Sequence, residues 1–304
     1  THLFMKGIIT MFKILTDSAC DLDKEYVVKH DVDVIPLYIT TDGQNYLRDG
    51  EELYSRDLYK RMVEENIFPK SSLPSVQDYV DHMMPYVEKG LPVICITIST
   101  SLSGSYNSAQ TARDLVLEEH PDAVITVMNS TTNTVTQGLF VNEAVRMKEA
   151  GLTYEKTVEN LEKLKESTRI FFTIGSLDYL IKNGRIGKLA LLISSRIKIK
   201  PTIIMKDNEI GLGGVSRTRA KSLASVIEAA RKYFNEPEHN VKDYNFIIGW
   251  GYDLEEAAQF KKEIGDALGV TFCEDIGSQI GAVTVCHTGP YALGLGCIRK
   301  YETV

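Results

Sequence analysis

Residues 93–98, Val-Ile-Cys-Ile-Thr-Ile, form a strand-length run with no charge and no polar face. A strand of this kind must be covered on both sides, as in a parallel sheet flanked by helices. Residues 12–16 and 124–128 repeat the pattern, and 32–39 is a further β-rich run. Between these runs the apolar period lengthens to that of a helix. Ser55 is placed as the N-cap of a helix with Leu58, Met62 and Val63 on one face. Ser75 with Asp78 makes a capping box, Asp replacing the usual Glu, before Tyr79, Val80, Met83 and Val87. Residues 135–150 read as another helix. Strand–helix repetition of this order gives a parallel α/β sheet.

The grammar changes near residue 166, after a helix capped by Thr153 that runs to Lys165. Residues 170–174 and 199–205 read as strands, and Asp207-Asn208 suits a hairpin turn before 209–212. A helix over 176–182, another over 220–234, a strand over 245–250 and a helix capped by Asp253 follow. Strands are expected near 270–274, 282–287 and 291–299. The expected fold class is therefore α/β in two domains. Residues 11–166 would form an N-terminal parallel α/β sheet domain, and 167–304 a C-terminal α+β domain with a largely antiparallel sheet. A chain of 304 residues is long enough for both.

Composition excludes several function classes. A formal net charge of −7 argues against a general nucleic-acid binder, which needs a basic face. No apolar run approaches the roughly 20 residues of a membrane span. Five cysteines, an odd number without CxxC spacing, read as reduced thiols of a cytoplasmic protein. Residues 1–10 read as a tag remnant or short leader before Met11.

In an open parallel sheet, ligands lie beyond the carboxyl ends of the strands. Three hydroxyl-rich loops fall there: Thr16-Asp17-Ser18, Asn129-Ser130-Thr131-Thr132, and Ser99-Thr100-Ser101-Leu102-Ser103-Gly104-Ser105. The last leads directly into a helix, whose free N–H groups and dipole favour a carboxylate or phosphate. N-capping explains one of its five hydroxyls, not all. His287-Thr288-Gly289-Pro290 follows the expected strand at 282–286, and at such a turn an imidazole N–H can meet an anion without being charged. A serine hydrolase through Ser103 with His287 as base is the alternative. It lacks the G-x-S-x-G elbow and any identifiable acidic orienter. No metal motif, dinucleotide fingerprint or P-loop is present in the sequence, so no metal or cofactor is expected. Arg185, after the helix over 176–182, and Arg217 and Arg219, opening a helix where cations oppose the dipole, are candidates for a phosphate or a partner.

Taken in order, these segments resemble the DegV family of bacterial fatty-acid-binding proteins. The resemblance rests on Thr16–Leu22, Lys70–Ser75, Ser99–Ser105 with Tyr106, Leu177–Leu180 through Gly184-Arg185-Ile186, Lys200-Pro201 and His287–Gly296. It implies a non-catalytic carrier with a long-chain, palmitate-like or oleate-like fatty acid in a cleft between the two domains. The acyl chain would lie in an apolar tunnel, and Ser71, the 99–104 loop (Ser99, Thr100, Ser101, Ser103 and Gly104), His287 and Thr288 would hold the carboxylate. It also implies a separate fatty acid kinase subunit that converts the bound acid to an acyl phosphate. The family pattern Thr-Ser-Gln-Pro stands here as Ser71-Ser72-Leu73-Pro74, which keeps a hydroxyl but replaces an amide with leucine. Asn129-Ser130 stands where the family has Asp-Ser.

Overall fold

The computed structural model describes residues 11–192 and 199–304, so the expectation for residues 1–10 lies outside the described residues. The strands are β1 (Lys13–Asp17), β2 (Val32–Ile35), β3 (Tyr38–Thr40), β4 (Leu47–Arg48), β5 (Lys70–Ser72), β6 (Val93–Thr97), β7 (Ile125–Asn129), β8 (Arg169–Thr173), β9 (Lys200–Lys206), β10 (Glu209–Ser216), β11 (Tyr244–Trp250) and β12 (Leu293–Arg299). The helices are α1 (Lys24–Lys29), α2 (Ser55–Glu64), α3 (Val76–Val87), α4 (Ser105–Glu119), α5 (Thr134–Glu149), α6 (Tyr154–Leu164), α7 (Asp178–Lys182), α8 (Arg219–Phe234), α9 (Leu254–Leu268) and α10 (Ala282–Thr288).

Strands β2-β1-β6-β7 form the parallel sheet, and the apolar run at 93–98 is one of its two central strands, buried throughout. The order β10-β9-β8-β12-β11 forms an antiparallel sheet, with Asp207 and Asn208 in left-handed conformation at the β9–β10 turn. The α/β reading, parallel then antiparallel, is what the chain adopts. The Ser75–Asp78 capping box forms, and Thr153 and Asp253 cap their helices.

Helix α5 lies between the two sheets. Its Val135, Leu139, Phe140 and Val141 pack in one core with Ile14, Ile94 and Ile96 of the parallel sheet and Ile247 and Ile298 of the antiparallel one. Most of its residues are buried, the polar Gln137 and Glu143 among them. Its close seat depends on the alternation in β12, where Leu293 and Leu295 point into the core with α8 and α9, while Gly294 and Gly296 lie on the opposite face, toward α5. A Cβ on Gly296 would stand 2.0 Å from Thr136 Oγ1, so no larger residue fits.

Four local expectations are corrected. The run 32–39 is two strands, broken at Pro36, which offers no N–H to a ladder. Ser55 is the first residue of α2 and caps nothing; Tyr54 holds the N-cap position. No strand forms over 270–274, although the Cys273 N–H donates to the Phe246 carbonyl at 2.8 Å. Residues 282–288 are the helix α10 rather than a strand. The β-branched Val283, Thr284 and Val285 favour a strand locally, but this segment is buried against α2, α7 and the small β4-β3-β5 sheet, and tertiary packing decides. Gly281 and Gly289 bracket it, Gly289 with φ 74°.

Candidate functional site

His287 sits in the last turn of α10, so the position of that helix sets the site. At its start, Gly281 passes so close to Asp21 that a Cβ there would lie 2.1 Å from Asp21 Oδ1. The Asp21 carboxyl accepts from the Thr134 hydroxyl at 2.5 Å, tying α10 to the start of α5. The Tyr59 hydroxyl donates to the Ile280 carbonyl at 2.9 Å. At its end, Asn183 Nδ2 donates to the Cys286 carbonyl at 2.7 Å, satisfying a group that a helix terminus leaves without a partner, and also reaches the Pro69 carbonyl at 3.3 Å. Gly289 is forced by its left-handed φ and by Tyr179, whose Cδ2 a Cβ would approach to 2.5 Å.

Held this way, His287 Nε2 meets Ser71 Oγ of β5 at 2.9 Å. Both line a cavity of about 180 Å³ together with Ser103, Arg185 and Thr288. The rest of its wall is mainly apolar, with Leu37 and Ile98 from the loops that follow β2 and β6 and Phe172, Met205 and Ile210 from the antiparallel sheet. A second, smaller cavity of about 40 Å³ continues from it between α5 and the antiparallel sheet, over Gly249, Gly294 and Gly296. Asn133, Phe172, Thr284 and Thr288 line both. Burial, helped by the Arg185 charge, pushes the His287 imidazole down to about 4, so it is neutral at physiological pH. Arg185 is exposed at the rim, its Nε donating to the Leu102 carbonyl at 2.8 Å.

Not every expected residue reaches this cavity. Ser99, Thr100 and Ser101 do not line it; their hydroxyls serve a polar latch between the sheets. Ser99 Oγ donates to Asn208 Oδ1 at 2.7 Å and lies 2.7 Å from Ser101 Oγ, while Asn208 Nδ2 donates to Thr100 Oγ1 at 2.8 Å. Asn129 Nδ2 joins at 3.2 Å from Thr100 Oγ1. The tip of the β9–β10 hairpin is thus fastened over the end of the parallel sheet, and this hairpin brings Met205 and Ile210 to the cavity. Gly104 holds the N-cap position of α4 and does not line the cavity. Arg219 is committed elsewhere: it grips Glu256 of α9 with Nε at 2.8 Å and Nη2 at 2.6 Å, and α8 packs on the face of the antiparallel sheet away from the cavity. Arg217 is exposed and does not line the cavity either. Sequence reasoning missed Asn133 and Thr284. Thr284 stands three residues before His287, a spacing that would have marked it had 282–288 been read as a helix.

Behind α10 and at the end of β1 lie three buried carboxyls. Burial raises Asp17 to about 6, Asp49 to about 7 and Asp21 to about 8. The folded chain therefore holds protons that the unfolded chain, with carboxyls near about 3.9, releases. This contribution is complete in acid below that value and is lost as pH rises through 6, 7 and 8. His287 acts in the opposite sense, because only the unfolded imidazole takes a proton as pH falls below about 6.5, but it is one group against three. Melting temperature should consequently fall between about pH 5.5 and 8, and Asp21→Asn should flatten that slope. A melting temperature that rises over this range would contradict the assignment.

The fold and the site together define an α/β protein, built on one parallel and one larger antiparallel sheet, with an internal cavity that is polar at one end and apolar beyond. Comparison with known proteins gives the family. A model of the DegV family, described as uncharacterised proteins, matches residues 11–300. This chain belongs to the DegV family. It is 31% identical over 283 residues to a DegV domain-containing protein of Deinococcus radiodurans, covering 93% of this chain and 96% of the relative. Among solved structures, a stearic acid-binding protein from Eubacterium ventriosum superposes with a TM-score of 0.92 at 50% identity, covering 97% of this chain and all of that one. A fatty-acid-binding DegV family protein from Thermus thermophilus superposes with a TM-score of 0.84 at 26% identity, over 95% of this chain and 99% of its own. No helix among the described residues is long and apolar enough to cross a membrane.

Proposed function

We propose that this chain binds a long-chain fatty acid as a carrier. The observation that carries this reading is the pairing of Ser71 with His287 at one end of a cavity whose other walls are apolar. A neutral imidazole whose Nε2–H donates to Ser71 Oγ leaves the Ser71 hydroxyl proton free for a carboxylate oxygen. Ser103 and the Arg185 guanidinium stand at the same end, and Phe172, Met205 and Ile210 cover the alkyl chain. Thr288 frames the start of the tunnel, and the narrower lobe over the glycines of β12 takes the tail. The cavity then lies between two halves of the chain that divide near residue 166. Resemblance to one stearic acid-binding protein and to a fatty-acid-binding DegV protein supports the ligand class.

The bound acid is presented to a separate kinase subunit, which supplies ATP and forms the acyl phosphate. Arg185 suits this step because it is exposed at the rim and carries a guanidinium that can meet a phosphate. Arg185→Ala is expected to slow acyl-phosphate formation more than it weakens fatty-acid binding. Equal losses in both assays would make Arg185 part of the carboxylate clamp, and no loss in either would remove it from the site.

A serine hydrolase is the competing reading, favoured by the 2.9 Å Ser71–His287 contact; the serine concerned is Ser71, since Ser103 Oγ is paired with Ser105 Oγ. Two observations weigh against it. His287 Nδ1 is buried with no partner among the described residues, and none of them orients the ring from that side. An imidazole held to about 4 is also a poor general base at neutral pH. Labelling of Ser71 by a fluorophosphonate would favour the hydrolase; an unlabelled, folded protein favours the carrier.

A further inference from the structure

The two lobes of the cavity meet at a polar waist, and the hydrogen bonds there are incomplete. Asn133, Thr284 and Thr288 line both lobes, and Thr136 lines the inner one. Thr288 is satisfied, its hydroxyl donating to the Thr284 carbonyl at 3.1 Å. Thr284 and Thr136 are not: the Oγ1 of each is buried with no partner among the described residues.

The reason lies in the carbonyls four residues before them, which a helical threonine ordinarily uses. The Ile280 carbonyl is taken by the Tyr59 hydroxyl at 2.9 Å. The Thr132 carbonyl accepts both the Ser99 N–H at 2.8 Å and the Ser130 hydroxyl at 3.1 Å. Asn133, at the N-cap position of α5, makes no side-chain capping bond. A buried hydroxyl left without a partner costs about 1–3 kcal/mol, so two of them in the wall of a tunnel for a plain alkyl chain work against that ligand.

We propose that this waist selects a fatty acid bearing a hydroxyl on one of the first few carbons beyond its carboxylate, a 3-hydroxy fatty acid being the simplest case. This inference rests on the fatty-acid reading of the cavity. The position follows from the helix: Thr284 is one turn before His287 on the same face, about 5–6 Å between Cβ atoms. An oxygen that meets Thr284 and Thr136 while the carboxylate meets Ser71, held by His287, is therefore close to the carboxyl end. A hydroxyl there can donate to one threonine oxygen and accept from the other.

The test is competition binding of stearate, 3-hydroxystearate and 12-hydroxystearate to the wild-type protein, to Thr284→Ser, and to the Thr136→Val/Thr284→Val double variant. The wild type and Thr284→Ser should prefer 3-hydroxystearate to stearate by about tenfold, the worth of one well-placed hydrogen bond. 12-Hydroxystearate should bind no better than stearate. In the double valine variant the preference should vanish because stearate now binds more tightly than to the wild type, which also shows that the variant is folded. Equal binding of stearate and 3-hydroxystearate to the wild type overturns the inference and leaves the fatty-acid reading standing, as does a preference that survives both valines. Failure of all three acids to bind the wild type overturns both.

Discussion

His287→Ala is expected to weaken binding of palmitate or oleate by roughly tenfold to a hundredfold while leaving the protein folded. A hydrogen bond to a charged group contributes about 1.5–3 kcal/mol, and the histidine holds Ser71, the serine proposed to meet the carboxylate, as well as lining the cavity itself. The fold should survive because, among the described residues, His287 Nδ1 has no partner to lose and Nε2 has only Ser71. The α10 backbone is fixed independently by Asn183, Tyr59 and Asp21. Since burial holds the imidazole to about 4, the affinity of the wild type should not change between about pH 6 and 8 on account of this residue. Titration calorimetry beside a circular dichroism melt measures both. Unchanged affinity in a folded variant removes His287 from the clamp.

Arg146→Met should be the larger blow to stability, about 3 kcal/mol at neutral pH. Glu143, wholly buried on α5, is held by Arg146 Nη1 at 2.7 and 2.9 Å, by Asn245 Nδ2 of β11 at 2.8 Å and by the Tyr301 N–H at 2.7 Å. Removing the cation leaves a buried carboxylate with two neutral donors. Burial already raises its pKa, and without Arg146 it rises further, so the loss should shrink as pH falls and the group takes a proton. Urea unfolding at about pH 7 and pH 5 reads both numbers. A loss below about 1 kcal/mol at neutral pH would show that the pair does not seat α5.

Much of the fold was legible because it is encoded locally. The uncharged run at 93–98 can only be a covered strand, the Ser75–Asp78 pair marks a helix start, and Asp207-Asn208 marks a hairpin. The misreading of 282–288 has a physical source. Val-Thr-Val carries a strand preference, and what makes the segment helical is its burial among residues more than 100 positions earlier in the chain, such as Tyr59. The hydroxyls of 99–101 were visible as a group, but their partner Asn208 lies 109 residues beyond Ser99, and composition cannot tell a latch from a clamp. Arg219 likewise looked free because Glu256 is remote in sequence. Ser71 and His287, 216 residues apart, were joined through family resemblance, since no spacing rule connects them.

The most direct test of the carrier account is mass spectrometry of the protein purified from bacteria, run natively and again on an organic extract. The account predicts a mass shift of one long-chain fatty acid, recovered in the extract, and a rise in melting temperature when stripped protein is given palmitate or oleate. A ligand-free native spectrum, together with no thermal shift from either acid, would contradict it.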